Sequence, residues 1–76
     1  MVIKLSKDEL KLGQRTITRA SPWVSYVVNY KDGMYRFIEE DMLLHISTII
    51  CSSEYLEDIV PCINNFFGKE VVVIQE

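Results

Sequence analysis

The feature that most constrains the fold is a stretch near the C terminus, Glu54 to Phe67, with the periodicity of an amphipathic helix. At about 100° per residue, its large apolar side chains fall within an arc of roughly 140° and its polar side chains fall opposite. The apolar set is Leu56, Ile59, Val60, Ile63, Phe66 and Phe67. Ser52 or Ser53 can cap the start, and Gly68 can end the helix. We therefore predict one helix over about 53–67, packed on one face of a sheet.

Pro61 lies inside this stretch and argues against a single helix. Proline lacks an N–H donor, and its ring clashes with the carbonyl four residues back, that of Glu57. Because Pro61 lies in the middle of the polar face, the freed carbonyl would face water and the helix could bend instead of stopping. The pattern favours one kinked helix, with two shorter turns as the alternative.

The residues after Gly68 have the pattern of a strand that is apolar on both faces. Val71-Val72-Val73-Ile74 is β-branched and shows no polar alternation, which predicts a C-terminal strand over 70–75. One helix covers only one face of a sheet, so the rest of the chain or a second copy must cover the other. A chain of 76 residues buries only about 60% of its unfolded surface. We therefore expect a homodimer, in which association supplements stability.

A hairpin over 23–38 is the clearest pair of strands. Its centre, Lys31-Asp32-Gly33-Met34, contains the Asp-Gly pair favoured in two-residue type I′ turns. Such a turn makes Tyr30 face Tyr35 and Val28 face Phe37, so one face of the hairpin becomes aromatic. That face comprises Tyr26, Val28, Tyr30, Tyr35 and Phe37.

Shorter elements precede the hairpin. Val2 to Leu5 reads as a strand. Ser6 and Glu9 have the spacing of a capping box, which predicts one or two helical turns; a polar connector with one anchoring leucine is the alternative. Gln14 to Ala20 reads as an edge strand, because its two arginines would discourage unwanted pairing.

The segment Met42 to Cys51 fits both a helix and a strand. The β-branched density from Ile46 to Ile50 favours a strand, whereas the acids Glu39 to Asp41 suit a helix N terminus. We predict the strand, which would form a strand-helix-strand unit with the helix and residues 71–75. The whole chain is then a single α+β domain over 1–76, with a small, mainly antiparallel sheet of four to six short strands.

Charge is distributed unevenly along the chain. Residues 1–36 hold seven basic and three acidic residues, a net charge of +4, and residues 37–76 hold one basic and eight acidic residues, a net charge of −7. The two halves can neutralise one another within the fold. Alternatively, the acidic helix face formed by Glu54, Glu57 and Asp58 binds a basic partner.

The sequence predicts no catalytic, cofactor or metal site. His45 is the single histidine, and neither a strand nor a helix would bring it within hydrogen-bonding reach of Cys51. Cys51 and Cys62 have no metal-ligand spacing and are expected to be free thiols. The acids Glu39 to Asp41 lack the alternation and glycine bend of a calcium loop.

The start of the chain lacks the pattern of a signal peptide, and no apolar run approaches the roughly 18 residues of a membrane span. Two cysteines in such a chain suit a reducing compartment. We therefore expect a cytoplasmic protein with no membrane partner.

Two functions fit these observations. The first is a small, non-catalytic protein-interaction or regulatory module of adaptor, inhibitor or accessory-subunit type, acting as a homodimer and binding through the acidic helix face. The second is a single-stranded nucleic-acid-binding protein, in which hairpin aromatic residues stack on bases and basic residues contact the backbone. Its residues would be Tyr26, Tyr30, Lys31, Tyr35 and Arg36. The competing interpretation of those aromatic residues is that they form the core under the helix.

Overall fold

The computed structural model describes residues 1–76 as an α+β fold. In chain order its elements are β1 (Val2–Leu5), α1 (Lys7–Leu12), β2 (Arg15–Arg19), β3 (Val24–Lys31), β4 (Met34–Asp41), β5 (Ile46–Ser53), α2 (Leu56–Phe67) and β6 (Val72–Gln75). Strands β2, β3, β4 and β5 form an antiparallel sheet in that order, while β1 and β6 form a separate parallel pair. The predicted fold class is confirmed: a mainly antiparallel sheet, one main amphipathic helix and a C-terminal strand.

The hairpin of β3 and β4 has the predicted register. Tyr30 pairs with Tyr35 and Val28 with Phe37. Asp32 and Gly33 both have positive φ, 54° and 80°, as a type I′ turn requires. The Asp-Gly pair therefore fixes which hairpin side chains share a face.

Two further predictions near the N terminus are confirmed. The strand β2 lies at the edge of the four-stranded sheet, with both arginines exposed and Ile17 as an extra residue opposite β3. The segment after Ser6 forms a six-residue helix anchored by the buried Leu10. The Ser6 side chain makes no capping hydrogen bond, so only the spacing of the capping box is present.

The ambiguous segment is a turn followed by a strand. Residues 42–45 form the turn and β5 begins at Ile46, so the strand prediction is confirmed with a later start. The strand also ends later than predicted, because Ser52 pairs with Arg36 and Ser53 with Tyr35. The helix predicted over about 53–67 is present and starts three residues later than that estimate. The helix begins at Leu56.

Helix α2 is continuous through Pro61, which is exposed on its polar side, so the single-helix prediction is confirmed. It ends at Gly68, whose φ is 67° and whose backbone N–H donates to the Asn64 carbonyl over 3.0 Å. This φ lies in the left-handed region, where glycine has no steric penalty.

The expected strand-helix-strand unit is not formed as one sheet. Strand β6 follows α2 but pairs in parallel with β1, Val2 against Val72, and not with β5. The Asn64 side chain makes the two hydrogen bonds to Val73 of β6 that a neighbouring strand would otherwise make. Its Nδ2 donates to the Val73 carbonyl over 2.9 Å, and its Oδ1 accepts from the Val73 N–H over 2.6 Å. A polar residue of the helix thus satisfies backbone groups of β6 that β1 does not reach.

One core cluster joins both sheets and both helices. Its members are Ile3, Leu5, Leu10, Ile17, Val28, Tyr35, Phe37, Leu56, Ile59, Ile63, Val71 and Val73. On β6, however, Val72 and Ile74 are 40% and 41% exposed. The strand predicted to be apolar on both faces therefore has one face covered by its own chain and one face open.

Candidate protein-binding surface

The two helices pack on one face of the four-stranded sheet. Val28 and Phe37 point into the core beneath α2, and Lys11 of α1 lies 5.5 Å from the centre of the Tyr30 ring on that same face. Because side chains alternate along a strand, Val27 and Ile38 point to the opposite face. They lie outside the core cluster but are only 2% and 7% exposed. We call this opposite face the outer face.

Six exposed apolar side chains surround one end of the sheet and continue along β5. They are Trp23, Met42, Leu43, Leu44, Ile46 and Ile49, between 43% and 63% exposed. We call this set the apolar patch. The backbone N–H of Met42 donates to the carbonyl of Trp23 over 2.7 Å, which joins the start of β3 to the turn. The register places Ile46, opposite Asp41, and Ile49, opposite Ile38, on different faces of the sheet. The exposed apolar residues of the turn itself are the ones typical of an interaction site.

The turn that carries the apolar patch has a defined conformation. The Asp41 Oδ1 accepts hydrogen bonds from the backbone N–H groups of Leu43 and Leu44, both at 3.0 Å. His45 closes the turn with φ of 55°, a left-handed conformation in which histidine is enriched among non-glycine residues. Leu43 and Leu44 are therefore presented to solvent by a turn that its own hydrogen bonds fix.

A shallow depression lies beside this turn. Its volume is about 440 Å³. Its lining residues are Glu40, Asp41, Met42, His45, Ile46 and Ser47. The surroundings of the apolar patch are thus acidic, with both carboxylates contributed by the end of β4.

The predicted acidic helix face is divided by internal contacts. Glu57 lies 2.8 Å from the Lys7 Nζ and accepts a hydrogen bond from the Gln75 Nε2 over 2.9 Å. Lys7 and then Gln75 lower the pKa of Glu57 to about 2. Asp58 accepts a hydrogen bond from the Ser53 hydroxyl over 2.7 Å, whereas Glu54 is exposed. Glu57 and Asp58 therefore have side-chain partners within the chain.

The residues of the nucleic-acid hypothesis lie on two different faces. Tyr35 is buried, and the Tyr26 ring lies 5.2 Å from Phe66 and 5.3 Å from Phe67. The Tyr26 hydroxyl donates to Glu39 over 2.8 Å, a bond that raises the tyrosine pKa.

Tyr30 is half-buried, with its ring 4.7 Å from that of Tyr35. Strand alternation places Lys31 and Arg36 on the outer face, away from these rings. The aromatic residues thus contribute to the core, and the sheet separates them from the two cations.

The cysteines are half-buried free thiols, as expected. Cys51 of β5 and Cys62 of α2 both pack against the core, and burial followed by the neighbouring Cys62 thiol raises the pKa of Cys51 to about 12. A thiol with so high a pKa is a poor nucleophile at neutral pH. His45 is exposed in the turn. No group of three or more His, Cys, Asp or Glu residues is arranged to hold a metal ion.

Sequence reasoning does not identify the apolar patch as a site. The sequence pattern places Leu43 and Leu44 inside a strand, where their apolar character predicts burial. The signal that could identify the turn is Asp41 followed by three apolar residues, since aspartate favours Asx turns. The position of Trp23 directly after Ser21-Pro22 is a second signal. A residue that precedes the strand has fewer neighbouring side chains to bury it.

Comparisons with protein-family models, with curated proteins and with solved structures found no match to this chain. Neither helix has the length and apolar composition that crossing a bilayer requires.

Proposed function

We propose that the protein is a small, non-catalytic protein-binding module of adaptor, inhibitor or accessory-subunit type, and that it acts as a homodimer. The observation that carries this proposal is the apolar patch, above all Leu43 and Leu44 at 62% and 63% exposure on a turn fixed by Asp41. A preformed apolar anchor loses little conformational entropy when a partner covers it.

The chemistry around the turn specifies the kind of partner. Glu40 and Asp41 border the depression beside Met42 and Ile46. A partner with an apolar pocket and a basic rim would bury the leucines and pair with the carboxylates. This role moves the binding surface from the helix face to the turn, because Glu57 is already engaged with Lys7.

The proposal includes a cytoplasmic location. Its support is the pair of free thiols, which suits a compartment that keeps cysteines reduced. The nucleic-acid alternative has weaker support, because the rings that would stack on bases contact Phe66, Phe67 and one another.

The experiment is affinity capture from extracts of the native cell with the protein immobilised. We expect Leu43→Asp/Leu44→Asp to lose a captured protein that the unchanged chain retains, because two carboxylates would have to enter the partner's apolar pocket. The matched control is Leu12→Asp, since Leu12 is 90% exposed on α1, away from the turn. Equal capture by all three proteins would overturn the proposed role of the turn.

A further inference from the structure

We propose that the homodimer forms by antiparallel pairing of β5 with β5 of a second copy, which joins two four-stranded sheets into one sheet of eight strands. This inference rests on the proposed homodimer and specifies the surface that forms it.

Strand β5 is the open edge of the four-stranded sheet that carries no charged side chain. The opposite edge, β2, carries two arginines in five residues, and charged side chains on an edge discourage pairing. The residues from Ile46 to Ser53 include no charged side chain, proline or glycine. On the other sheet, Asn64 already bonds the backbone of β6. Of these three strands, β5 alone offers an unoccupied and uncharged row of backbone groups.

The sequence of β5 is compatible with self-pairing in one register. A two-fold axis through the middle of the strand places Ser47 opposite Ser52 of the second copy, and Thr48 opposite Cys51. Residues 47 and 52 are an odd number apart and would point to opposite faces of a regular strand. Ile50 is an extra residue in β5, so the side chains after it change face. Ser47 and Ser52 therefore point to the same face, since their β4 partners, Glu40 and Arg36, lie on one face.

Charges across this junction are complementary. In the proposed register, a row on the outer face runs from Arg36 through Ser52, then through Ser47 of the second copy to its Glu40. The row spans three strand spacings, about 14 Å between the outermost Cα atoms. The two serines are small, so the long side chains can extend toward one another above them. Two-fold symmetry repeats the row, which gives two pairs of opposite charge for each dimer.

The present partner of Arg36 leaves it available for this contact. Its guanidinium lies 3.9 Å from Asp32; the Arg36 side chain is 23% exposed and the Asp32 side chain 78%. An ion pair this long and exposed contributes little to stability. Loss of the Asp32 contact is therefore a small cost when Arg36 turns toward Glu40 of the second copy.

The test is the mass in solution, measured by sedimentation equilibrium over a range of concentrations. We expect the unchanged chain to dimerise and Ser47→Lys/Ser52→Lys to weaken dimerisation at least about tenfold, because lysines would lie opposite lysines in both rows. The matched control is Ser47→Lys/Ser52→Asp, which places opposite charges at the same positions and should dimerise as tightly as the unchanged chain.

Far-UV circular dichroism establishes that each variant is folded. If the double-lysine variant does not fold, Arg36→Glu replaces it: this change should weaken the dimer, and Arg36→Glu/Glu40→Arg should restore it. A dimer that survives both the double-lysine change and Arg36→Glu overturns β5 pairing and leaves the homodimer proposal intact. A chain that stays monomeric to about 1 mM overturns both the β5 pairing and the homodimer. The affinity-capture experiment tests the binding role of the turn separately.

Discussion

At the scale of single residues, charged side chains in this protein connect elements that are distant in sequence. Lys7 of α1, Glu57 of α2 and Gln75 of β6 meet at distances of 2.8 and 2.9 Å, with Glu57 in the centre. The charge asymmetry of the sequence indicates complementary halves. It cannot indicate this trio, because side-chain proximity between residues 7, 57 and 75 depends on the tertiary fold.

The Glu57 contacts predict a pH dependence of stability. The carboxylate pKa is lowered from 4.5 to about 2 in the folded protein, chiefly by Lys7. A lowered folded-state pKa contributes stability above pH 4.5, and this contribution is lost as the pH falls toward 2. In Glu57→Gln, the midpoint of thermal unfolding should therefore fall less steeply over that interval, with a slightly lower midpoint at neutral pH.

The measurement is thermal unfolding at a series of pH values. Glu54→Gln is the control, because Glu54 is exposed beside the same helix and should keep the steeper dependence of the unchanged chain. Identical pH profiles for Glu57→Gln and the unchanged chain would mean that Lys7 and Glu57 do not interact in solution.

At the scale of elements, strong local signals predict the structure well and weak ones do not. Asp32-Gly33 specifies the hairpin register because both positions need positive φ, and the apolar stripe of α2 specifies its buried face. Helix α2 begins three residues after the start predicted near Ser53, because Ser53 pairs with Tyr35 in the sheet. Strand β6 pairs with β1 and not with β5, which the sequence does not indicate because valines fit either sheet. The turn at 42–45 is not predicted, because the sequence does not distinguish an exposed leucine in a turn from a buried leucine in a strand.

The hairpin turn predicts a specific sensitivity to alanine. Gly33 has φ of 80°, and a Cβ atom added there would have no neighbour within 4 Å, so the cost of Gly33→Ala is conformational and not steric crowding. We expect the free energy of unfolding to fall by about 1–2 kcal/mol, measured by urea denaturation. Gly13→Ala is the matched control: Gly13 is extended at φ of 177°, and alanine there should be neutral or stabilise by up to about 1 kcal/mol. A Gly33→Ala variant as stable as the unchanged chain would argue against the type I′ turn.

At the scale of the whole molecule, the two sheets share one core. Ile3, Leu5, Val71 and Val73 come from β1, β6 and the residue before it, and they lie in the same cluster as Val28 and Phe37 of the four-stranded sheet. The chain should therefore unfold as one cooperative unit. Helix α2 packs on the face that carries Val28 and Phe37, so the β5 edge and the apolar patch stay exposed.

This shared core predicts that damage to the small sheet destabilises the large one. Ile3 is 5% exposed and its neighbour Val2 is 65% exposed on the same strand. Ile3→Ala should lower the free energy of unfolding by about 2–5 kcal/mol, whereas Val2→Ala should change it by less than about 0.5 kcal/mol. Amide hydrogen exchange locates the effect: in Ile3→Ala, the slowest amides of β3 and β4 should lose protection by the same free energy as the global change. If those amides keep their protection while β1 and β6 exchange freely, the parallel pair is an independent flap and α2 alone stabilises the inner face of the four-stranded sheet.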